Sequence, residues 1–455
     1  MHVCDSFSRT VDDYLWSEVN LAGARRRAAL YFLPLDGCID WGEGIAACRS
    51  KRLIGETPAK WDGRLIRFRP SRNLIKILCD SVSSVRDRTN MNEVTEKYPL
   101  NQIYFYLTEG CNLACRHCWI APKFQTEDRS YPVLSVDLFK SIVEHGKPLG
   151  LSGVKLTGGE PLMHPEISDI LEHMKSEDLN LTIETNGVLC TPEIAQQIAA
   201  CKNTFVSVSI DGADAETHEW VRGVPGCFEA ALNGARHLVE AGIRLQIIMS
   251  IMRRNVDQME AVVRIAESVG AGSLKFNPTQ PIARGEKLRE SGATLTIEEL
   301  VDLGVWIEND LSESTSLTLF PGHPAAFRPL GKMFGENGDG CSRCGILGIL
   351  GVLADGSYAL CGIGETVPEL VFGHAEKDSL KDIWETTDVL NQLREGLTDR
   401  LEGICGDCVM KGLCLGECIA QNFYRSKHLW TPFWYCAEAE EAGLFPETRR
   451  RPDPE

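Results

Sequence analysis

No stretch of this chain is apolar for long enough to cross a bilayer. The longest, Gly345–Ala354, is about half a span, so no transmembrane helix is expected. The first ten residues, MHVCDSFSRT, lack the basic start and apolar stretch of a secretory signal, so a cytoplasmic location is expected. Positive charge is in deficit: 47 Lys and Arg face 64 Asp and Glu, a formal net charge of −17. That argues against nucleic acid and anionic membranes as partners, since both are gripped by basic surface. Long internal repeats and low-complexity tracts are missing too. With 43% hydrophobic and 24% charged residues, the composition is that of a folded chain, not a disordered or fibrous one. At 455 residues it exceeds one ordinary domain, and about three are expected.

Cysteine is what the chain has in excess: 18 residues, too few for a small disulfide scaffold and many for a plain enzyme in a reducing compartment. Three fall together as Cys111, Cys115 and Cys118. A second group is Cys341, Cys344 and Cys361, and a third is Cys405, Cys408, Cys414, Cys418 and Cys436. Cys4, Cys38, Cys48, Cys79, Cys190, Cys201 and Cys227 stand singly and read as small buried apolar residues.

Between the first two groups the pattern alternates. Short apolar runs at Ile103–Thr108, Gly153–Thr157, Leu181–Thr185, Phe205–Ile210, Leu245–Ser250 and Ser273–Asn277 read as strands. Helical periodicity fills the gaps, at about Val136–Gly146, Pro165–Ser176, Pro192–Ala200, Cys227–Ala241 and Val256–Val269. Six β/α repeats imply a parallel sheet with right-handed crossovers. They fall short of a closed eight-fold barrel, so a partial (β/α)6 TIM-like barrel is expected, with chemistry at the C-terminal strand ends. The polar motifs sit at those ends: Cys111 after the first strand, Gly158-Gly159-Glu160-Pro161 after the second, Asn186 after the third, Ser209 and Asp211 at the fourth.

Three clustered thiolates flanked by Gly110 and Asn112 suit a loop that binds zinc or an iron–sulfur cluster. Held by three ligands, a cubane keeps one iron open to a reactant. CxxxCxxC after the first strand of a six-fold β/α chain, with GGEP and SIDG at later strand ends, resembles the radical SAM superfamily. That resemblance implies a [4Fe–4S] cluster on Cys111, Cys115 and Cys118, with S-adenosylmethionine on its open iron. It also implies reductive cleavage to a 5′-deoxyadenosyl radical. Gly158, Gly159, Glu160, Asn186, Ser209, Asp211 and Arg222 match the positions that bind S-adenosylmethionine. Glu160 would accept from the α-ammonium and Arg222 would pair with the carboxylate. His117 departs from an often aromatic position.

The C-terminal spacing, Cys405-x2-Cys408-x5-Cys414-x3-Cys418-x17-Cys436, resembles the SPASM extension of radical SAM peptide-modifying enzymes. It implies two auxiliary [4Fe–4S] clusters, one on Cys341, Cys344, Cys361 and Cys418, the other on Cys405, Cys408, Cys414 and Cys436. The segments around Cys111 and Cys418 are similar to maturases of SynChlorMet-type peptide cassettes. The implied partners are a ribosomally made precursor peptide, to be crosslinked, oxidised or epimerised, and a low-potential electron donor such as flavodoxin or ferredoxin. A small molecule or protein side chain as substrate, through dehydrogenation or formylglycine formation, remains an alternative. So does a zinc-binding module without catalysis.

The expected organisation is an N-terminal α+β region at 1–98, the barrel at 99–277, a bridge at 278–340, the SPASM domain at 341–437 and a polar tail at 438–455. Region 1–98 holds 16 basic and 13 acidic residues, and short strands are expected at Tyr31–Leu35, Leu65–Arg69 and Leu74–Leu78. It reads as a cap or as a recognition domain for an acidic leader peptide, which could add a strand to it. Glu109, Asp211, Asp339 and Glu417 lie near the motifs, but the catalytic acid or base stays unknown from sequence.

Overall fold

Every apolar run read as a strand between the helical patterns joins one sheet. The structure, a computed structural model, describes residues 60–61, 64–65, 95, 97–124, 130–336, 338, 340–341 and 344–452. The chain divides into two units, Met1–Val85 and Arg86–Glu455. In the first, β1 (Lys60–Trp61) and β2 (Arg64–Leu65) pair antiparallel. The strands expected at Tyr31–Leu35 and Leu74–Leu78, and most of Leu65–Arg69, lie outside the described residues, as do Cys4, Cys38, Cys48, Cys79 and Asp339.

The second unit holds β3 (Gln102–Tyr106), the short β4 (Gly110–Cys111) and β5 (Lys123–Phe124), then β6 (Gly153–Thr157), β7 (Asn180–Thr185), β8 (Phe205–Ser209), β9 (Arg244–Ile251) and β10 (Ser273–Pro278). β3 and β6 to β10 are the six expected strands, parallel and in chain order. Apart from exposed Arg244, their residues are buried or half-buried, as a sheet covered on both faces requires. The helices between them form where periodicity placed them. Helix Pro192–Ala199 starts as its sequence dictates, with the Thr191 hydroxyl accepting from the Ile194 amide and proline in the first turn.

The sheet runs beyond the six. β11 (Thr318–Phe320), within the segment read as a bridge, adds a seventh parallel strand beside β10. At the other edge β12 (Ile349–Val352) pairs parallel with β3 and continues through the antiparallel β13 (Ser357–Ala359) and β14 (Val371–His374). The cysteine-rich region thus shares the barrel's hydrogen-bonded sheet, and most of the buried apolar side chains form one core. No described helix is long and apolar enough to cross a membrane.

Within the barrel, one α-helix escaped the sequence pattern. Ala215–Arg222 is capped by Asp214, whose carboxylate accepts from the Thr217 amide, and ends on left-handed Gly223.

A buried ionic cluster ties the helix Ile297–Asn309 to the chain after β11. The Glu308 carboxylate lies 2.5 Å from Arg328 Nε and 3.5 Å from His323 Nε2. Burial alone would raise its pKa, but His323 and Arg328 hold it at about 2. A carboxyl depressed on folding stabilises the protein above its unfolded value, about 4.3, and loses that contribution as pH falls toward the folded one. Glu308→Gln is expected to cost about 3 kcal/mol at pH 7 and to flatten the stability loss between about pH 4.3 and 2. Urea unfolding at pH 7 and pH 3 measures both.

Candidate active site

The strand-end loops of the barrel converge on one cavity of about 460 Å³. Side chains of β6 to β10 and the end of β11 all reach it, so the sheet curls around it. Cys111, Cys115 and Cys118 form part of the wall; Cys111 ends β4, and Cys115 and Cys118 follow in a loop, not a helix.

Three neighbours hold that loop. β4 pairs with β5. The Gly159 and Glu160 amides donate to the carbonyls of Thr108 (2.7 Å) and Gly110 (2.9 Å). The missed helix anchors the loop's middle, the Ala114 amide donating to Arg222 O and the Arg116 amide to Val221 O. A Cβ on Gly159 would lie 2.0 Å from the Gly110 oxygen, and Gly158 has φ +130°. In this structure both glycines therefore serve the close passage of the GGEP loop past the backbone leading into Cys111.

The thiols fit a cluster better than a single ion. Burial raises the Cys111 thiol, with Glu160 and Cys115 adding to it, and pushes Cys118 up to about 11. Deprotonating Cys111 and Cys118 needs compensating positive charge, which metal supplies, and Arg222 Nη1 lies 3.6 Å from Cys115 Sγ. Among the described residues no three His, Cys, Asp or Glu groups close on a single metal ion. Buried Cys111 and Cys115 with half-buried Cys118, close in sequence and on one cavity, suit a cubane with one open iron.

Gly158, Gly159, Glu160, Asn186, Ser209 and Arg222 line the same cavity. Glu160 is already heavily used: its carboxylate accepts from Thr185 Oγ1 (2.6 Å) and from the amides of Asn186 (2.8 Å) and Leu162 (3.1 Å). Burial raises its pKa against those bonds. Asn186 donates to Asn112 Oδ1 within the cysteine loop at 2.7 Å. Ser209 makes no side-chain hydrogen bond among the described residues and is free to meet a ligand.

Asp211 does not reach the cavity. It is fully buried behind Arg222, 2.7 Å from its Nε, and accepts from the Ser250 amide. Burial would raise its carboxyl, but Arg222 above all holds it below the usual range. Its amide donates to His218 Nδ1, and burial lowers that imidazole to about 4, so His218 is neutral. His117 lines the cavity, and burial likewise lowers it to about 4.

Cys341, Cys361 and Cys418 line the same cavity. Burial raises Cys344 most, and the charges of Cys418 and Cys361 add to it, which places these thiols together. Cys405, Cys408, Cys414 and Cys436 gather away from the cavity: Cys405 and Cys436 share a hydrogen bond, and Cys405 also raises Cys408 and Cys414. Cys414 and Cys418, four residues apart, go to different groups because Leu415, Gly416 and Glu417 are all left-handed, with φ of 56°, 76° and 58°. Glu417 sits between the groups, pushed up to about 7 by burial.

Sequence reasoning missed Lys155 and Lys275, which line the cavity with Glu184 of the third strand's polar end. Lys155 Nζ pairs with Glu184 at 2.5 Å, and burial lowers Lys275. The signal was there: a lone lysine inside each of two otherwise buried strands, GVKLT and SLKFNP, is out of place unless it faces a polar cavity. Of the single cysteines, Cys190, Cys201 and Cys227 are buried as expected, and Cys227 packs beside Cys111 and Cys115.

Comparison with known proteins agrees with this geometry. The radical SAM superfamily profile matches residues 105–266, and the SPASM profile, an iron–sulfur cluster-binding domain, matches 340–409. The AdoMet-dependent heme synthase of Methanosarcina barkeri is 30% identical over 323 residues, which is 69% of this chain and 90% of that protein. The mycofactocin maturase MftC of Mycobacterium tuberculosis is 27% identical over 350 residues, 76% of this chain and 85% of that one. Streptococcus suis SuiB bound to S-adenosylmethionine shares the fold, with TM-score 0.56 at 18% identity over 81% of this chain and 83% of that one. The chain belongs to the radical SAM superfamily, with the SPASM extension that implies auxiliary clusters beside the S-adenosylmethionine-binding [4Fe–4S] cluster.

Proposed function

We propose that this enzyme modifies a ribosomally made peptide by hydrogen abstraction. The observation that carries this is that Cys111, Cys115 and Cys118 line the same cavity as Cys341, Cys361 and Cys418. In the proposed arrangement the first set holds the S-adenosylmethionine-binding cluster. When reduced and bound, that cluster supplies the electron that cleaves S-adenosylmethionine to a 5′-deoxyadenosyl radical. Gly158, Gly159, Asn186 and Ser209 bind the cofactor; Glu160 fixes the loop as well as facing it, and Arg222 offers its guanidinium to the carboxylate. Cys341, Cys344, Cys361 and Cys418 would hold one auxiliary cluster and Cys405, Cys408, Cys414 and Cys436 the other, and such clusters would supply electron transfer. A peptide substrate is supported by the maturase among the relatives and by a fold neighbour whose structure contains the precursor peptide SuiA.

Mass spectrometry of a short peptide encoded beside this gene, co-expressed with the enzyme without oxygen, tests the proposal. Loss of two hydrogens indicates crosslinking or desaturation. Deuterium uptake from heavy water without mass loss indicates epimerisation. An unmodified peptide from an enzyme that cleaves S-adenosylmethionine would contradict the peptide reading. The 30% identity to a heme synthase favours a second reading, a small-molecule substrate.

A further inference from the structure

Lys155 and Lys275 enter the cavity from the interiors of β6 and β10, two residues before Thr157 and Asn277, which line it from the same strand faces. Both lysines are half-buried. The sheet register carries Lys155 toward the cysteine-rich region. Lys155 pairs with Tyr104 of β3, and Tyr104 with Gly351 of β12. Paired residues share a face of the sheet, and Lys155 Nζ lies 4.6 Å from the centre of the Tyr104 ring. On that face Cys361 packs against Gly351, where a Cβ would lie 2.8 Å from the Cys361 Cα. Two strand spacings, about 10 Å, therefore separate the Lys155 backbone from the point where Cys361 crosses the sheet. Charge links the same groups. Burial raises the Cys344 and Cys361 thiols, and the Lys155 ammonium pulls both down. Burial disfavours the Lys275 ammonium, as does Lys155, whereas Glu184, Glu417 and Cys344 favour it. Lys155 has an ion pair, with Glu184; the Lys275 ammonium makes no hydrogen bond or ion pair among the described residues. Two such lysines inside otherwise apolar strands need a counter-charge, and four thiolates around iron supply one.

We propose that Lys155 and Lys275 raise the reduction potential of the auxiliary cluster on Cys341, Cys344, Cys361 and Cys418, and that Glu184 opposes them. This rests on the auxiliary-cluster assignment made above. Neither lysine ligates iron; each acts through its charge. A cubane on four thiolates carries about two negative charges when oxidised and about three when reduced. A nearby ammonium stabilises the reduced state more, and it does so strongly where little water screens it. The glutamate does the reverse. Lys155, Lys275 and Glu184 are thus positioning residues that set how readily the cluster beside the cavity takes up one electron.

Potentiometric titration of the iron-loaded enzyme, followed by electron paramagnetic resonance, tests this. Replacing Cys111, Cys115 and Cys118 by alanine removes the first cluster's signal, and Cys361→Ala identifies which remaining signal belongs to the cluster beside the cavity. Lys155→Met and Lys275→Met are each expected to disfavour reduction of that cluster about tenfold, which is 59 mV for one electron. The other auxiliary cluster should move less. Glu184→Gln is expected to shift the same cluster in the opposite direction. Opposite signs for the lysine and glutamate variants are what a charge effect requires, since a general loosening of the fold would not reverse sign between them. If a lysine variant loads iron poorly, the other lysine variant and Glu184→Gln carry the test. Unchanged potentials in the loaded variants would overturn the proposal, as would shifts of a single sign. About four iron per chain and no auxiliary signal in the unaltered enzyme would instead overturn the auxiliary-cluster assignment.

Discussion

Replacing Cys111, Cys115 and Cys118 together by alanine is expected to leave about eight iron per chain and to abolish 5′-deoxyadenosine formation. The three thiols occupy one short segment on the cavity wall, and the eight cysteines proposed to hold the auxiliary clusters lie on other segments of the chain. The loop's backbone bonds to the GGEP loop and to helix Ala215–Arg222 do not involve the three side chains. The chain should therefore fold with its cysteine-rich region intact. Iron analysis and chromatography of the nucleoside check both halves. Retained cleavage would mean that the wrong group has been assigned to S-adenosylmethionine.

The second large effect is expected at Asp211, through stability. Asp211→Asn keeps the shape and an acceptor for the Ser250 amide but removes the carboxylate that pairs with buried Arg222. Stranding a buried guanidinium costs about 3–5 kcal/mol. Because helix Ala215–Arg222 holds the cysteine loop through Ala114 and Arg116, iron at the first site should fall as well. Adding Arg222→Met should recover much of the stability, since no buried charge is then left alone, without recovering cofactor affinity. Urea unfolding of both variants measures this; a loss below about 1 kcal/mol in Asp211→Asn would show that Arg222 finds other compensation.

The barrel could be read from sequence because its strands are short aliphatic runs in fixed alternation with amphipathic helices, and both periods survive in a single chain. The strands outside that alternation could not. β11 is three residues in a Gly- and Pro-containing stretch. β12 hides in Gly345–Ala354, where Gly351 lets the strand pass under Cys361, a Cβ there lying 2.8 Å from the Cys361 Cα. Helix Ala215–Arg222 had its signals in Asp214 and Gly223, but it carries little apolar periodicity between them. Of the residues matched to cofactor binding, six line the cavity, and Asp211 stands behind them. Strand-end position tells that a residue is near a site; it does not tell which side of the backbone its side chain takes. Nor does spacing reveal that three left-handed residues send Cys414 and Cys418 to separate groups.

The most direct test is to quantify 5′-deoxyadenosine after reducing the anaerobically purified enzyme with S-adenosylmethionine present. The account predicts a brown protein with about twelve iron per chain that forms the nucleoside only when reduced. A colourless, zinc-containing protein that forms none would contradict it.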